Sequence, residues 1–297
     1  MRKPQFFTYS LLAAVILIWA LAWPTSKLGL LDMPPIWFTA LRLVSGFITL
    51  FIILLFAKQI KKPKLIDLPM ILSIGVLQMA CFLLFLNGGL LFVDAGRSAI
   101  LVYSTPFIVT PIATAYFNER LRLYTFIGLL LGLIGLVTLF NPWSFDWHNH
   151  NVLIGNLLLL LAAVCWAVTM LHTRYGTWHS PAIQLVPWQL LIASVLVIIV
   201  CFLVNPHPVI NMTPRLVEMG LYNGIFATGF AYAGIIYVSQ RLSVITTSLL
   251  LLMVPVLGLI FSSLMLGEKL TFEIMLALIF IVLGLIFISI DNRNTTS

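Results

Sequence analysis

The sequence predicts an all-α membrane protein, ten transmembrane helices built as two inverted five-helix repeats. Three observations lead there. Of 297 residues, 61% are hydrophobic and only 8% charged, and the mean hydropathy is +1.11; soluble domains carry about 25% charged residues. Apolar runs long enough to cross a hydrocarbon core of roughly 30 Å follow one another along the chain, and the ~10-residue alternating segments of a β-barrel are absent. The chain also repeats itself: PFIVTPIATAYFNERL, Pro106 to Leu121, returns as PVLGLIFSSLMLGEKL, Pro255 to Leu270, at an offset of 149.

In both copies a proline opens an apolar run and a triplet closes it, Glu119-Arg120-Leu121 and Glu268-Lys269-Leu270. Trp19-Ala20 followed by Lys27 is answered by Trp166-Ala167 followed by Arg174, at an offset of 147. So steady an offset marks two copies of one unit, expected over residues 1–145 and 150–291.

The spans follow in order. Thr8–Leu28 carries Trp19 and Pro24; it is too long for a typical signal-peptide core and is read as a retained helix. Ile36–Phe56 holds a single charge, Arg42. Leu68–Leu91 bears Gln78 and Asn87, and Arg97–Phe117 bears Tyr103, Pro106 and Pro111. Leu123–Phe140 closes the first half. Val152–Arg174 repeats the tryptophan-bearing opening with Trp166. Pro181–Val204 carries Pro187, Trp188 and Gln189, and Pro214–Val238 carries Tyr222, Asn223 and Tyr232. Ser243–Leu266 contains Pro255, and Phe272–Ile290 ends the series. The longest polar break, Asn141 to Asn151, is the natural joint between the halves.

Lysine and arginine set the orientation. With the amino terminus inside, eleven lie in inside segments (Arg2, Lys3, Lys58, Lys61, Lys62, Lys64, Arg120, Arg122, Arg174, Arg241, Arg293), against four outside (Lys27, Arg97, Arg215, Lys269). The positive-inside rule therefore places both termini in the cytoplasm. The net charge of +7 belongs to this topology signal and not to a nucleic-acid-binding face. An odd number of spans per copy makes the second copy enter the bilayer from the opposite side. That is an inverted repeat, an arrangement common in secondary carriers and found also in channels.

In these residues the chain resembles the drug/metabolite transporter superfamily, and within it the EamA-type ten-helix transporters. The paired proline-to-Glu-basic-Leu segments carry the resemblance. So do the glycine-bearing spans after them (Gly128, Gly132, Gly135; Gly284) and the tryptophan-bearing first span of each half. The resemblance implies two five-helix bundles around a central cavity. It also implies peripheral fifth and tenth spans able to support a homodimer, and cargo drawn from amino acids, other metabolites, drugs and sugar-linked compounds. The copies have diverged, Thr110 and Pro111 standing opposite Leu259 and Ile260, so an asymmetric cavity is expected.

Arg42 is a charge within an apolar span, costly unless it snorkels to the outer interface or holds an anionic group of the cargo. Its repeat partner is Gln189. Lys27 and Arg174 end their spans and read as interface anchors. Trp19, Tyr103, Trp166, Trp188, Tyr222 and Tyr232 lie inside spans, where an indole or phenol needs a polar partner from a cavity or a neighbouring helix. Gln78, Asn87, Gln189 and Asn223 either line the cavity or bond between helices. Pro24, Pro106, Pro111, Pro187 and Pro255 each remove a backbone hydrogen bond and favour a kink, as gates or as static bends.

The chemistry that is missing narrows the function. No Asp or Glu lies near the middle of a span, so the intramembrane carboxylate of a proton relay is lacking. No phosphate-cradling glycine motif and no metal-ligand spacing occurs, so no cofactor is expected. His148 and His150 read as polar loop residues. The three cysteines, Cys81, Cys165 and Cys201, sit in apolar runs as packing residues. Without a converging acid, base or nucleophile in the spans, an intramembrane enzyme is not expected; a membrane scaffold would not need polar and aromatic residues spread through both halves. The expected function is a secondary carrier, with export the favoured direction, moving small organic metabolites such as amino acids across the cytoplasmic membrane. Uptake or exchange of an anionic or nucleotide-linked metabolite, and a facilitative channel, remain the alternatives.

Overall fold

The computed structural model describes residues 3–119, 121–140, 149–267 and 272–293. Glu268, Lys269 and Leu270 of the second triplet, Arg120 of the first, and the joint with His148 lie outside the described residues.

Ten helical rods are found among the described residues. They are α1 (Lys3–Gly29), α2 (Pro35–Phe56), α3 (Leu65–Gly89), α4 (Ala95–Phe117), α5 (Leu123–Phe140), α6 (His150–Tyr175), α7 (Ala182–Val204), α8 (Pro214–Ser239), α9 (Val244–Leu250 continuing as Met253–Leu266) and α10 (Phe272–Arg293). Seven are long and apolar enough to cross a membrane, and α5, α9 and α10 are shorter or interrupted apolar helices. Large apolar side chains such as Phe56, Leu130, Leu160 and Phe202 are exposed on the outer surface, as a lipid-facing surface requires. This is a multi-pass membrane protein.

Two of the predicted spans are not continuous. Residues 95–117 break at Tyr103–Ser104, and residues 244–266 break at Leu251–Leu252. The prolines explain both. Pro106 offers no N–H to the Val102 carbonyl and Pro255 none to that of Leu251, so each rod opens one turn before its proline. At the first break the Thr105 hydroxyl donates to the Val102 carbonyl instead, at 2.7 Å.

The two halves correspond closely. Nine residues of π-helix, Ser73–Cys81 in α3, recur as Tyr222–Phe230 in α8, again at an offset of 149. Asn118 (φ 54°) closes α4 in the left-handed conformation and Gly267 (φ 68°) closes α9, at the same offset. The interface-anchor expectation is corrected for both cations. Lys27 Nζ donates to the carbonyls of Leu90 and Val93 just beyond α3, and Arg174 Nη1 to that of Gln240 beyond α8. Each caps the carbonyl end of the third rod of its own half, where a cation also complements the helix dipole.

Packing crosses between halves throughout. Helix α1 lies on α8 and α9, α6 lies on α3 and α4, α2 packs on α8, α7 on α3, and α2 against α7. Backbones meet where side chains vanish: a Cβ on Gly75 would lie 2.8 Å from the Gln189 carbonyl, and one on Gly224 would lie 3.2 Å from that of Arg42. These are repeat-related contacts. Helices α5 and α10 pair with each other along their length and touch the remainder sparingly, Gly284 resting on the Gly128 carbonyl.

Candidate functional site

A cavity opens where α1, α2, α3 and α4 of the first half meet α6 and α8 of the second. Helix α1 lines it with Trp19, Ala22, Trp23 and Ser26, one face of a helix at i, i+3, i+4 and i+7. Helix α3 adds Gln78, Phe82, Leu83 and Leu86, while α2, α6 and α8 contribute Arg42, Trp166 and Tyr232. Tyr103 reaches it from the break in α4.

Arg42 is the one charged side chain in this lining and is 4% exposed. It does not snorkel. Its Nη1 donates to Ser26 Oγ at 3.2 Å and its Nε to Thr228 Oγ1 at 3.4 Å. Those hydroxyls are held from behind by Asn223. Ser26 Oγ donates to Asn223 Oδ1 at 2.9 Å and Thr228 Oγ1 to the Asn223 carbonyl at 2.7 Å. Asn223 Nδ2 in turn donates to Thr25 Oγ1 and to the Met219 carbonyl. No carboxylate lines the cavity among the described residues, so the guanidinium charge is solvated by two neutral hydroxyls at long range. A buried charge left in that condition is costly.

Around it stands a box of aromatic rings. Trp166 meets Trp19 edge to face at 5.6 Å and Tyr103 at 4.9 Å, and Trp19 meets Tyr232 at 5.9 Å. Two polar atoms of the box use carbonyls in the π-helical segments: Trp19 Nε1 donates to Ala227 O at 3.0 Å, and the Tyr232 hydroxyl to Gln78 O at 3.2 Å. A π turn does not follow the i→i−4 pattern, and such turns gather at functional sites. Trp166 Nε1 is buried with no partner among the described residues.

The cavity is tight, about 40 Å³, room for a few waters. Both ends of the bundle are tied across the halves. At the face where α1 begins, Glu119 Oε1 accepts from the Tyr175 hydroxyl and from the Val244 amide. At the opposite face the Arg215 fork donates to both oxygens of Asp32, each at 2.8 Å, and Thr213 Oγ1 joins it. The Arg215 hydrogen bond holds the Asp32 carboxyl below its usual range. The arrangement is a narrow pocket between the halves, with a polar tie between them at either face.

The sequence profile of the EamA-like transporter family matches residues 6–141 and again residues 153–290. The chain belongs to the EamA-like transporter family. It is 30% identical over 272 residues to the uncharacterized transporter YoaV of Bacillus subtilis, covering 92% of this chain and 93% of that one. It is 26% identical to a probable amino-acid metabolite efflux pump of Escherichia coli over 91% of each chain. A solved structure of 21% identity superposes with a TM-score of 0.78 over 98% of this chain, a likeness of fold.

In this EamA-like transporter six of the residues singled out in the sequence meet at the cavity: Trp19, Arg42, Gln78, Tyr103, Trp166 and Tyr232. The other five do not line it. Asn223 stands behind Arg42, and the Tyr222 hydroxyl donates to the Ile18 carbonyl at 2.9 Å. Asn87 Nδ2 donates to Thr39 Oγ1 at 2.8 Å. Trp188 Nε1 donates to the Lys61 carbonyl at 2.9 Å. Gln189 is fully buried under Gly75, and neither its Oε1 nor its Nε2 has a partner among the described residues. Pro24 and Pro111 lie inside unbroken helical stretches, while Pro106 and Pro255 follow breaks. Trp23, Ser26 and Phe82 line the cavity as well: the first two share a helix face with Trp19 at α-helical spacing, whereas Phe82 follows the π-helical segment that holds Gln78, where that spacing does not apply.

Proposed function

We propose that this transporter is a secondary carrier of the cytoplasmic membrane that exports small organic metabolites, amino acids and related compounds among them, by alternating access. One observation carries the reading. The central cavity is walled by both halves of an inverted repeat and latched between them at each face. Two similar halves can exchange conformations, and the exchange turns one shared pocket from one side of the bilayer to the other. Supporting the direction, the E. coli relative carries efflux in its name. Cargo contact is assigned to Trp19, Arg42, Gln78, Tyr103, Trp166 and Tyr232, with the breaks before Pro106 and Pro255 as hinges. Both termini face the cytoplasm.

The test is flux in proteoliposomes across a panel of amino acids, other organic acids and amines. A carrier gives saturable uptake and counterflow for at least one compound. Linear, non-saturating flux with single-channel currents would establish a pore instead.

A further inference from the structure

We propose that the cavity recognises its cargo by a carboxylate, and that an amino group on the cargo is not recognised. The preferred class is then amphipathic monocarboxylates with an aromatic or bulky apolar body. This rests on the carrier reading above and narrows it.

The polar atoms left unused around the cavity argue for an anion. Arg42 Nη2 makes no hydrogen bond among the described residues, its Nε and Nη1 being spent on Thr228 and Ser26. Trp166 Nε1 is buried and unpartnered. Guanidinium and indole can only donate, and an ionised carboxylate can only accept. A carboxylate would give the buried guanidinium the charge partner it lacks, in the charge-assisted geometry that makes arginine the residue for this task.

An ammonium group finds the opposite. No Asp or Glu lines the cavity among the described residues. The hydroxyls of Ser26 and Thr228 already accept from Arg42, so an ammonium drawn to them would sit beside a like charge. Aromatic faces attract cations, but here Trp19, Trp166, Tyr103 and Tyr232 are engaged with one another edge to face. The free space of about 40 Å³ admits a carboxylate head, and the apolar body follows along the rings as the halves part.

Three probes with one phenyl ring separate the charges: hydrocinnamate (anion), phenylalanine (zwitterion) and phenethylamine (cation). Binding to the purified full-length chain is read by quenching of tryptophan fluorescence and by competition. Hydrocinnamate should bind, phenylalanine no more tightly, and phenethylamine at least about tenfold more weakly. Arg42→Gln should erase the preference for the anion, and Trp166→Phe should weaken hydrocinnamate several-fold while amine binding stays put. Should Arg42→Gln not fold, Arg42→Lys keeps the charge and must keep the anion preference. Phenethylamine binding as well as hydrocinnamate, phenylalanine binding about tenfold more tightly, or no binding of any of the three would overturn the carboxylate assignment. The carrier reading stands or falls separately, on saturable flux of any compound in the wider panel.

Discussion

The Tyr175 hydroxyl, at the end of α6, donates to Glu119 Oε1, just past the end of α4, joining the second half to the first. The amide of Val244, which begins α9, donates to the same oxygen, so one carboxylate gathers three helix ends. Tyr175 also stacks on Phe117 with ring centroids 3.8 Å apart. Tyr175→Phe keeps the stacking and removes the donor. It should cost about 1 kcal/mol and lower the Tm by about 2–4 °C. In a Ser26→Cys background, the thiol in the cavity lining should become more reactive to impermeant reagents added from the face where α1 begins. Unchanged labelling would mean that the contact does not help close that face.

The opposite latch should respond to pH. Because Arg215 depresses the Asp32 carboxyl, the stabilisation it gives is complete above the ordinary carboxylate value of 3.8 and is lost as pH falls through the lower, folded-state value. Wild type should therefore melt above Asp32→Asn by a constant margin from pH 8 to about 5, and the margin should shrink only below about 4. A margin that vanished between pH 7 and 6 would point to a different titrating group.

Gly224 presses its Cα against α2, and a Cβ there would fall 1.7 Å from Ser45 Oγ. Gly224→Ala should destabilise by about 1–3 kcal/mol, the usual range for overpacking. Adding Ser45→Ala removes the hydroxyl and should return part of the loss. Equal Tm values for the single and double variants would show that the backbone contact, not the hydroxyl, sets the limit.

Gln189 buries an amide with neither end satisfied among the described residues, a condition that costs about 1–3 kcal/mol. Gln189→Met keeps the volume and discards the polar atoms, so Tm should rise by a few degrees. Gln189 is also the repeat counterpart of Arg42. If the pocket faces it in the other conformation, saturable flux should fall as stability rises. Flux equal to wild type would make the amide a bystander.

Much of this architecture could be read from residues alone. Apolar run lengths located the rods, the proline-to-triplet echo gave the offset, and the prolines marked where two spans open. Arg42 stood out because a charge amid TALRLVSG has no cheap place in lipid. The rest depended on distances that no run of letters contains. Lys27 reads as an anchor for headgroups until Leu90 and Val93 are seen to end within its reach. Asn87 and Gln78 are alike on paper, yet one bonds Thr39 and the other faces the cavity. Most of all, nothing in SIGVLQMAC or YNGIFATGF announces a π turn. What the fold adds is a contact across helices, Trp19 Nε1 on the Ala227 carbonyl within one of them.

Those wide turns have a geometric corollary. Each holds one residue more than the α turn it replaces, so side chains past it swing about 100° round the axis. A helical wheel drawn unbroken from Leu65 or Pro214 would thus name the wrong inner edge for Phe82–Gly89 and Ala231–Ser239. Because the surplus falls at one register in both copies, the twins stay in phase. Deleting a single residue from one of them would barely alter hydropathy, and would still set the pair more than a quarter-turn out of step.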